Sequence, residues 1–116
     1  MALPQLVRRR AESKIGALCE RRIPPHIRDQ IKLEFTIRGD SITIVERRPP
    51  WRSDIGPEWT TMKIAQLRFQ TGSGTWSLWW SDRNGRWLRV PDLDASPDIE
   101  QLLAVIDDDP SGAFWG

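Results

Sequence analysis

Apolar and polar side chains alternate with period two through IKLEFTIRGDSITIVER, from Ile31 to Arg47, on both sides of Gly39-Asp40. This alternation predicts two half-buried strands, and the Gly-Asp pair suits a tight two-residue hairpin turn. Pairing outward from the turn sets Ile37 against Ile42, Phe35 against Ile44 and Leu33 against Glu46 on one side of the ribbon. The other side then carries Lys32, Glu34, Thr36, Arg38, Ser41, Thr43, Val45 and Arg47. Upstream, Leu3, Val7, Ala11, Ile15 and Leu18 recur at steps of four, four, four and three, with Leu6 and Cys19 flanking the stripe. Residues 3–20 are therefore predicted as an amphipathic helix with a basic outer face, ended by Pro24 and Pro25.

Downstream, RRPPWRSDIGPEWTT, from Arg47 to Thr61, has no sustained period and reads as a long connection. Alternation resumes from Lys63 to Gln70, with Ala65, Leu67 and Phe69 opposite Ile64, Gln66 and Arg68. The hairpin TWSLWWSDRNGRWLRV is centred on Asn84-Gly85, both of which tolerate the positive φ of a type I′ turn. A two-residue turn there sets Asp82 against Trp87 and Trp80 against Arg89, on the face that holds Trp76 and Leu78. Trp79, Ser81, Leu88 and Val90 fall on the reverse. Both faces are partly apolar, which predicts a sheet covered on both sides or curled into a half-barrel. A last helix is marked by Ser96 as N-cap, Pro97 at its first position and Ile99, Leu102, Leu103 and Ile106 at i, i+3, i+4 and i+7. It stops at Asp107-Asp108-Asp109-Pro110. The predicted fold is α+β: an N-terminal helix, a five-stranded antiparallel meander and a C-terminal helix, with residues 1–116 forming a single domain.

Composition then narrows the classes of function. One Cys and one His exclude an internal disulfide and a Cys/His zinc site within the chain. No run approaches the ~20 apolar residues of a membrane span, and MALPQLVRRR lacks the apolar core of a signal peptide, so a cytoplasmic location without membrane contact is expected. Neither a phosphate-cradling glycine loop nor a dinucleotide fingerprint occurs, and no cofactor is expected. The near-balance of 17 basic and 16 acidic residues hides a division. Residues 1–52 hold twelve basic and six acidic side chains, +6, whereas residues 53–116 hold five and ten, −5. Internal pairing of the halves or a polarised surface follows, rather than bulk attraction for polyanions.

Four stretches carry a resemblance. CERRIPPHIRDQIKLEF, the Glu46-Arg47-Arg48-Pro49 turn followed by Trp51, the WSLWWSDRNGRW hairpin and the closing DDDPSGAFWG together resemble the bacterial family named for a domain of unknown function, number 3024. The resemblance runs from about Cys19 to Gly116. It implies a bacterial, cytoplasmic origin and brings with it no activity, cofactor or site residue.

The candidate chemistry therefore comes from the residues themselves. Glu46 follows Ile42 and Ile44 on the core face, and Asp82 and Arg89 share a predicted face with Trp76, Leu78, Trp80 and Trp87. If the hairpins bring these faces together, Glu46, Asp82 and Arg89 line one tryptophan-walled pocket; otherwise Glu46 and Arg89 form a rim ion pair and Asp82 starts its turn. Seven tryptophans offer stacking surfaces for bases, beside the arginines of the first helix. Trp76 and Trp80 suit the core. Trp51 and Trp59, in the loop with Arg47, Arg48 and Arg52, suit exposed recognition. Asp107, Asp108 and Asp109 offer hard oxygen ligands without EF-hand spacing, and are expected to meet water or the basic first helix. Cys19 on a buried helix stripe and His26 after two prolines make a poor nucleophilic pair.

The reading favoured by these residues is a non-catalytic binding module for a protein, as an adaptor or antitoxin-like partner, or for a nucleic acid. Its contacts would be Glu46, Arg47, Arg48, Trp51, Arg52 and Trp59 of the loop and Trp80, Asp82, Trp87 and Arg89 of the adjacent sheet face. A small metal-dependent nuclease or other hydrolase using Glu46 and Asp82 is the alternative, weakened by the lack of the carboxylate-x-Lys step such sites carry.

Overall fold

The computed structural model describes residues 3–49 and 59–115. Helix α1 (Gln5–Arg22) and a short 3-10 turn (Pro25–Ile27) precede strands β1 (Lys32–Arg38), β2 (Ser41–Arg48), β3 (Thr60–Gln70), β4 (Thr75–Ser81) and β5 (Trp87–Arg89), and helix α2 (Ile99–Asp108) follows. The strands form one antiparallel sheet in the order β1-β2-β3-β4-β5. It is an open meander. The α+β architecture read from the sequence is the one observed.

The first hairpin has the expected register, with Ile37 opposite Ile42, Phe35 opposite Ile44 and Leu33 opposite Glu46. Gly39 has φ 61°, the positive value that the first central position of a II′ turn demands and that glycine adopts without cost. Strand β3 begins three residues earlier than the alternation suggests, because Thr60, Thr61 and Met62 continue the pairing with β2. Between the two strands Ile44 faces Ala65 but Val45 faces Lys63, so Ile64 is an extra residue. This bulge lets Ile64 and Ala65 both be buried and turns Lys63 to the same face as Gln66 and Arg68.

Both helices pack on one face of the sheet. Ala11, Ile15, Leu18 and Cys19 of α1 and Ile99, Leu102, Leu103 and Ile106 of α2 join Ile42, Ile44, Leu67, Trp76 and Leu78 in a single core. The opposite face holds no buried side chain among the described strand residues. Of the two expectations, a sheet covered on both sides or one curled into a half-barrel, the first is not met: among the described residues the helices cover one side, and the sheet is not closed. The partly apolar outer face arises from Trp79 and Trp87, which are only half-buried.

Helix ends differ from the expectation for local reasons. α1 starts at Gln5 after Pro4, with Arg8 N donating to the Pro4 carbonyl at 2.8 Å, and Leu6 is left 80% exposed. The N-cap of α2 is Asp98, whose carboxylate accepts from Glu100 N at 3.0 Å. Ser96 is drawn away to a β-bridge with Trp76, exchanging backbone bonds of 2.7 and 3.0 Å.

The two oppositely charged halves of the chain meet between the helices. Lys14 reaches Glu100 at 2.7 Å, Arg22 reaches Asp107 at 2.9 Å and Arg21 reaches Asp107 at 3.3 Å. The hydrogen bond from Arg22, helped by Arg21, holds the Asp107 carboxyl below the usual carboxylate range. A folded pKa below the unfolded one gives a contribution that is full above about pH 4 and is lost as pH falls through the folded value. Asp107→Asn should therefore flatten the acid limb of stability against pH, measured by urea unfolding from pH 6 to pH 2.5. Parallel acid limbs for the two proteins would contradict this.

Candidate functional site

On the uncovered face, side chains from all five strands stand in rows. One row runs Arg38, Ser41, Arg68, Ser77, and the next runs Thr36, Thr43, Gln66, Trp79, Arg89. Beyond the bulge come Glu34, Val45 and Lys63, with Ser81 and Trp87 on the far strands, and finally Lys32 and Arg47. Six of the strand residues on this face are basic, Lys32, Arg38, Arg47, Lys63, Arg68 and Arg89, against one acid, Glu34. The Glu34 carboxylate meets Arg47 at 3.5 Å.

Three tryptophans on or beside this face each have a cation over the ring. Arg68 Cζ lies 3.8 Å from the ring centroid of Trp79, Lys32 Nζ lies 4.6 Å from that of Trp59, and Lys63 Nζ lies 5.6 Å from that of Trp87. The ring quadrupole attracts the cation in each pair. Around Trp79 the polar groups are also fixed. Its Nε1 donates to Ser77 Oγ at 2.9 Å, Arg68 Nε donates to Gln66 Oε1 at 2.7 Å, and Gln66 Nε2 donates to Thr43 Oγ1 at 2.9 Å. A shallow depression of about 460 Å³ opens beside this network, bounded by Arg68, Trp79, Arg89, Ser77 and Asp40. The arrangement offers flat π surfaces beside the Arg68 and Arg89 guanidinium groups, which meet no carboxylate among the described residues.

The second hairpin departs from the predicted register. Ser81 faces Trp87, Trp80 faces Leu88 and Trp79 faces Arg89. Of Asn84 and Gly85 only Gly85 has positive φ, 80°, so a type I′ turn does not form. Instead Gly85 N donates to the Asp82 carbonyl at 3.0 Å and Asp82 N donates to the Arg86 carbonyl at 2.9 Å, a three-residue loop with a glycine bulge. The Asp82 carboxylate builds this loop by accepting from Asn84 N at 2.8 Å and Arg86 N at 2.9 Å. Those backbone donors, Arg86 N first, together with the Arg86 side chain lower its pKa.

A one-residue slip moves a whole strand to the other face. Trp87 and Arg89 therefore lie on the uncovered face, apart from Trp76, Leu78 and Trp80, and the single pocket of Glu46, Asp82 and Arg89 is not formed. Glu46 is on the helix side of β2, its side chain 12% exposed, and accepts from Arg48 Nε at 2.7 Å. Trp80 packs against the core between Ala65 and Leu88. Arg47, Trp59, Trp87 and Arg89 are the sequence candidates that the open face brings together, while Trp51 and Arg52 lie outside the described residues. Sequence reasoning missed Arg68, Trp79, Lys63 and Lys32. The alternation of β3 already set Arg68 and Gln66 away from the core, and pairing β3 with β4 through the Thr71–Gly74 turn would have put them beside Trp79.

Of the acidic triplet, Asp107 and Asp109 have structural partners. The Asp109 carboxylate accepts from Phe114 N at 3.1 Å and Trp115 N at 2.9 Å. Among the described residues no three His, Cys, Asp or Glu side chains gather as a metal-binding group. Cys19 is buried, and burial pushes its thiol up to about 11, far from a nucleophilic thiolate at neutral pH. His26 sits exposed in the 3-10 turn.

Comparison with known proteins matches the chain to a family described as Domain of unknown function (DUF3024), over residues 3–116. The chain belongs to the DUF3024 family. No curated protein matches it, and no solved structure does. The family carries no stated activity, so the chemistry of this DUF3024 chain has to be argued from its own surface. No helix among its described residues is long and apolar enough to cross a membrane.

Proposed function

We propose that this DUF3024 domain is a binding module that takes single-stranded nucleic acid on the uncovered face of its sheet. The observation that carries the reading is the set of three cation-bearing tryptophans on one basic, uncovered sheet face. Bases stack on indole rings and on guanidinium planes whatever their identity, and Lys and Arg between the rings follow the phosphates. Trp79 and Trp87 are diagonal neighbours across β4 and β5, about 7–8 Å apart at Cα, a separation that suits successive splayed bases. Duplex DNA is read by an element that enters a groove, and among the described residues none projects from this face. A protein partner is favoured by an interface centre that is apolar and poor in charge, whereas on this face Trp79 is surrounded by Gln66, Ser77, Ser81, Arg68 and Arg89.

The test is fluorescence anisotropy with labelled 12-nucleotide homopolymers. Trp79→Ala should weaken binding by roughly 5- to 100-fold, the loss of one stacked base. Arg68→Ala should reduce the slope of log K against log salt by about 0.7, one phosphate contact. Arg9→Ala, on α1 behind the sheet, is the control and should leave both unchanged. Wild-type protein that binds no homopolymer at 50 mM salt, or a Trp79→Ala variant with undiminished affinity, would reject the reading.

A further inference from the structure

The two edges of the sheet are unlike. On the β5 side the strand is three residues long, and the backbone bridge between Ser96 and Trp76 covers part of what remains of β4. On the other side β1 runs seven residues. The Arg38 to Ser41 turn makes residues 32, 34, 36 and 38 the ones that exchange backbone bonds with β2, so Leu33, Phe35 and Ile37 direct their N–H and C=O groups outward. Among the described residues none of these outward groups has a backbone or side-chain partner. The side chains of Leu33, Phe35 and Ile37 lie on the helix side but stay only half-buried at this edge.

We propose that β1 pairs with β1 of a second copy of this chain in an antiparallel, two-fold arrangement centred on Thr36, joining two sheets into one of ten strands. The register follows from charge. Backbone parity requires outward residues to face outward residues, which leaves few ways to lay two β1 strands together. Centring on Glu34 sets Glu34 against itself. Centring on Phe35 sets Lys32 against Arg38, and centring on Ile37 sets Glu34 against Asp40. Like charges directly opposite are destabilising. Centring on Thr36 sets Glu34 against Arg38 at both ends, Thr36 against Thr36, and Phe35 against Ile37 twice, where the half-buried side chains cover one another.

A strand edge guarded only by charge would repel its own copy in every register, and this edge does not. The two-fold axis stands perpendicular to the sheet, so both sets of helices lie on one side and both uncovered faces on the other. The inference is independent of what those faces bind.

The experiment is sedimentation equilibrium of the full chain from micromolar to millimolar concentration, with circular dichroism to show folding. Wild type should approach twice the monomer mass. Glu34→Arg and Arg38→Glu, each of which sets like charges opposite, should sediment as monomers, and the double swap E34R/R38E should restore the dimer. Ile37→Pro removes an outward N–H that β2 does not use and should also give a folded monomer. A wild-type monomer throughout the range would overturn the proposal; that is also the outcome expected if the edge takes an extended segment of another protein instead. So would a dimer indifferent to the single swaps, or a double swap as monomeric as its parents.

Discussion

Leu67→Ala is expected to destabilise the protein by about 3–5 kcal/mol, the upper part of the range for buried leucine truncations. Leu67 is fully buried in the central strand, flanked in the sheet by Ile42 and Leu78, themselves buried. The two helices close over this part of the sheet with Leu18, Leu102 and Ile106, which are also fully buried. Truncation removes the contacts of several methylene groups and leaves a cavity that a pleated backbone, pinned by hydrogen bonds on both sides, cannot collapse to fill. A domain of this size has only about 5–15 kcal/mol of stability in all, so the urea midpoint should fall by about a fifth or more at unchanged m-value. Leu67→Met, nearly equal in volume, should cost less than about 1.5 kcal/mol. A loss below about 1 kcal/mol for the alanine variant would mean that the sheet and helices do not meet at Leu67.

The second large effect is expected at the end of α2. Asp109 has φ 43°, a left-handed conformation that costs most residues about 1–2 kcal/mol, and its carboxylate receives the backbone N–H groups of Phe114 and Trp115. Hydrogen bonds to a charged group contribute about 1.5–3 kcal/mol each when the donors would otherwise be left unsatisfied. The tail they hold is packed: Phe114 is buried, Trp115 Nε1 donates to the Ile106 carbonyl at 2.7 Å, and Arg22 Cζ lies 3.9 Å from the Trp115 ring centroid. Asp109→Ala should therefore cost about 3–4 kcal/mol in urea unfolding. Asp109→Gly relieves the backbone strain while still losing the carboxylate, and should recover about 1 kcal/mol of that. Equal losses for the two variants would remove the conformational part of the argument. A loss under about 1 kcal/mol for both would remove the carboxylate as the anchor of the tail.

How far these features were legible beforehand depended on whether backbone or side chain decided the local geometry. The first hairpin was readable to the residue because Gly39 settles the turn by its own φ and both flanks alternate cleanly around it. The second was misread because the Asp82 side chain captures Asn84 N and Arg86 N, lengthening the loop by one residue, and no periodicity in WSLWWSDRNGRW records that capture. Ser96 and Asp98 are equally good N-caps on composition. The choice fell to Asp98 because β4 needed a partner for the Trp76 backbone, a long-range demand absent from the local pattern. The candidate site was partly legible for a similar reason. Arg47, Trp59, Trp87 and Arg89 were picked out by type, but Arg68 and Trp79 become neighbours only when β3 and β4 pair. The acidic triplet was expected to meet water or the basic first helix, and Asp107 does hold α1; the capture of the tail by Asp109 was not legible, because it depends on how the chain turns back after Pro110.

The loop from Asp82 to Arg86 also acts as a selector of outward chemistry. Deleting one residue from it would turn β5 over, moving Trp87 and Arg89 to the helix side and Leu88, now 42% exposed there, to the uncovered face, with every strand residue unchanged. Two chains identical in all five strands can thus differ in whether Trp87 and Arg89 join the basic face, and that choice is written in the length of one turn, which Lys63 of the same face holds through the Gly85 carbonyl.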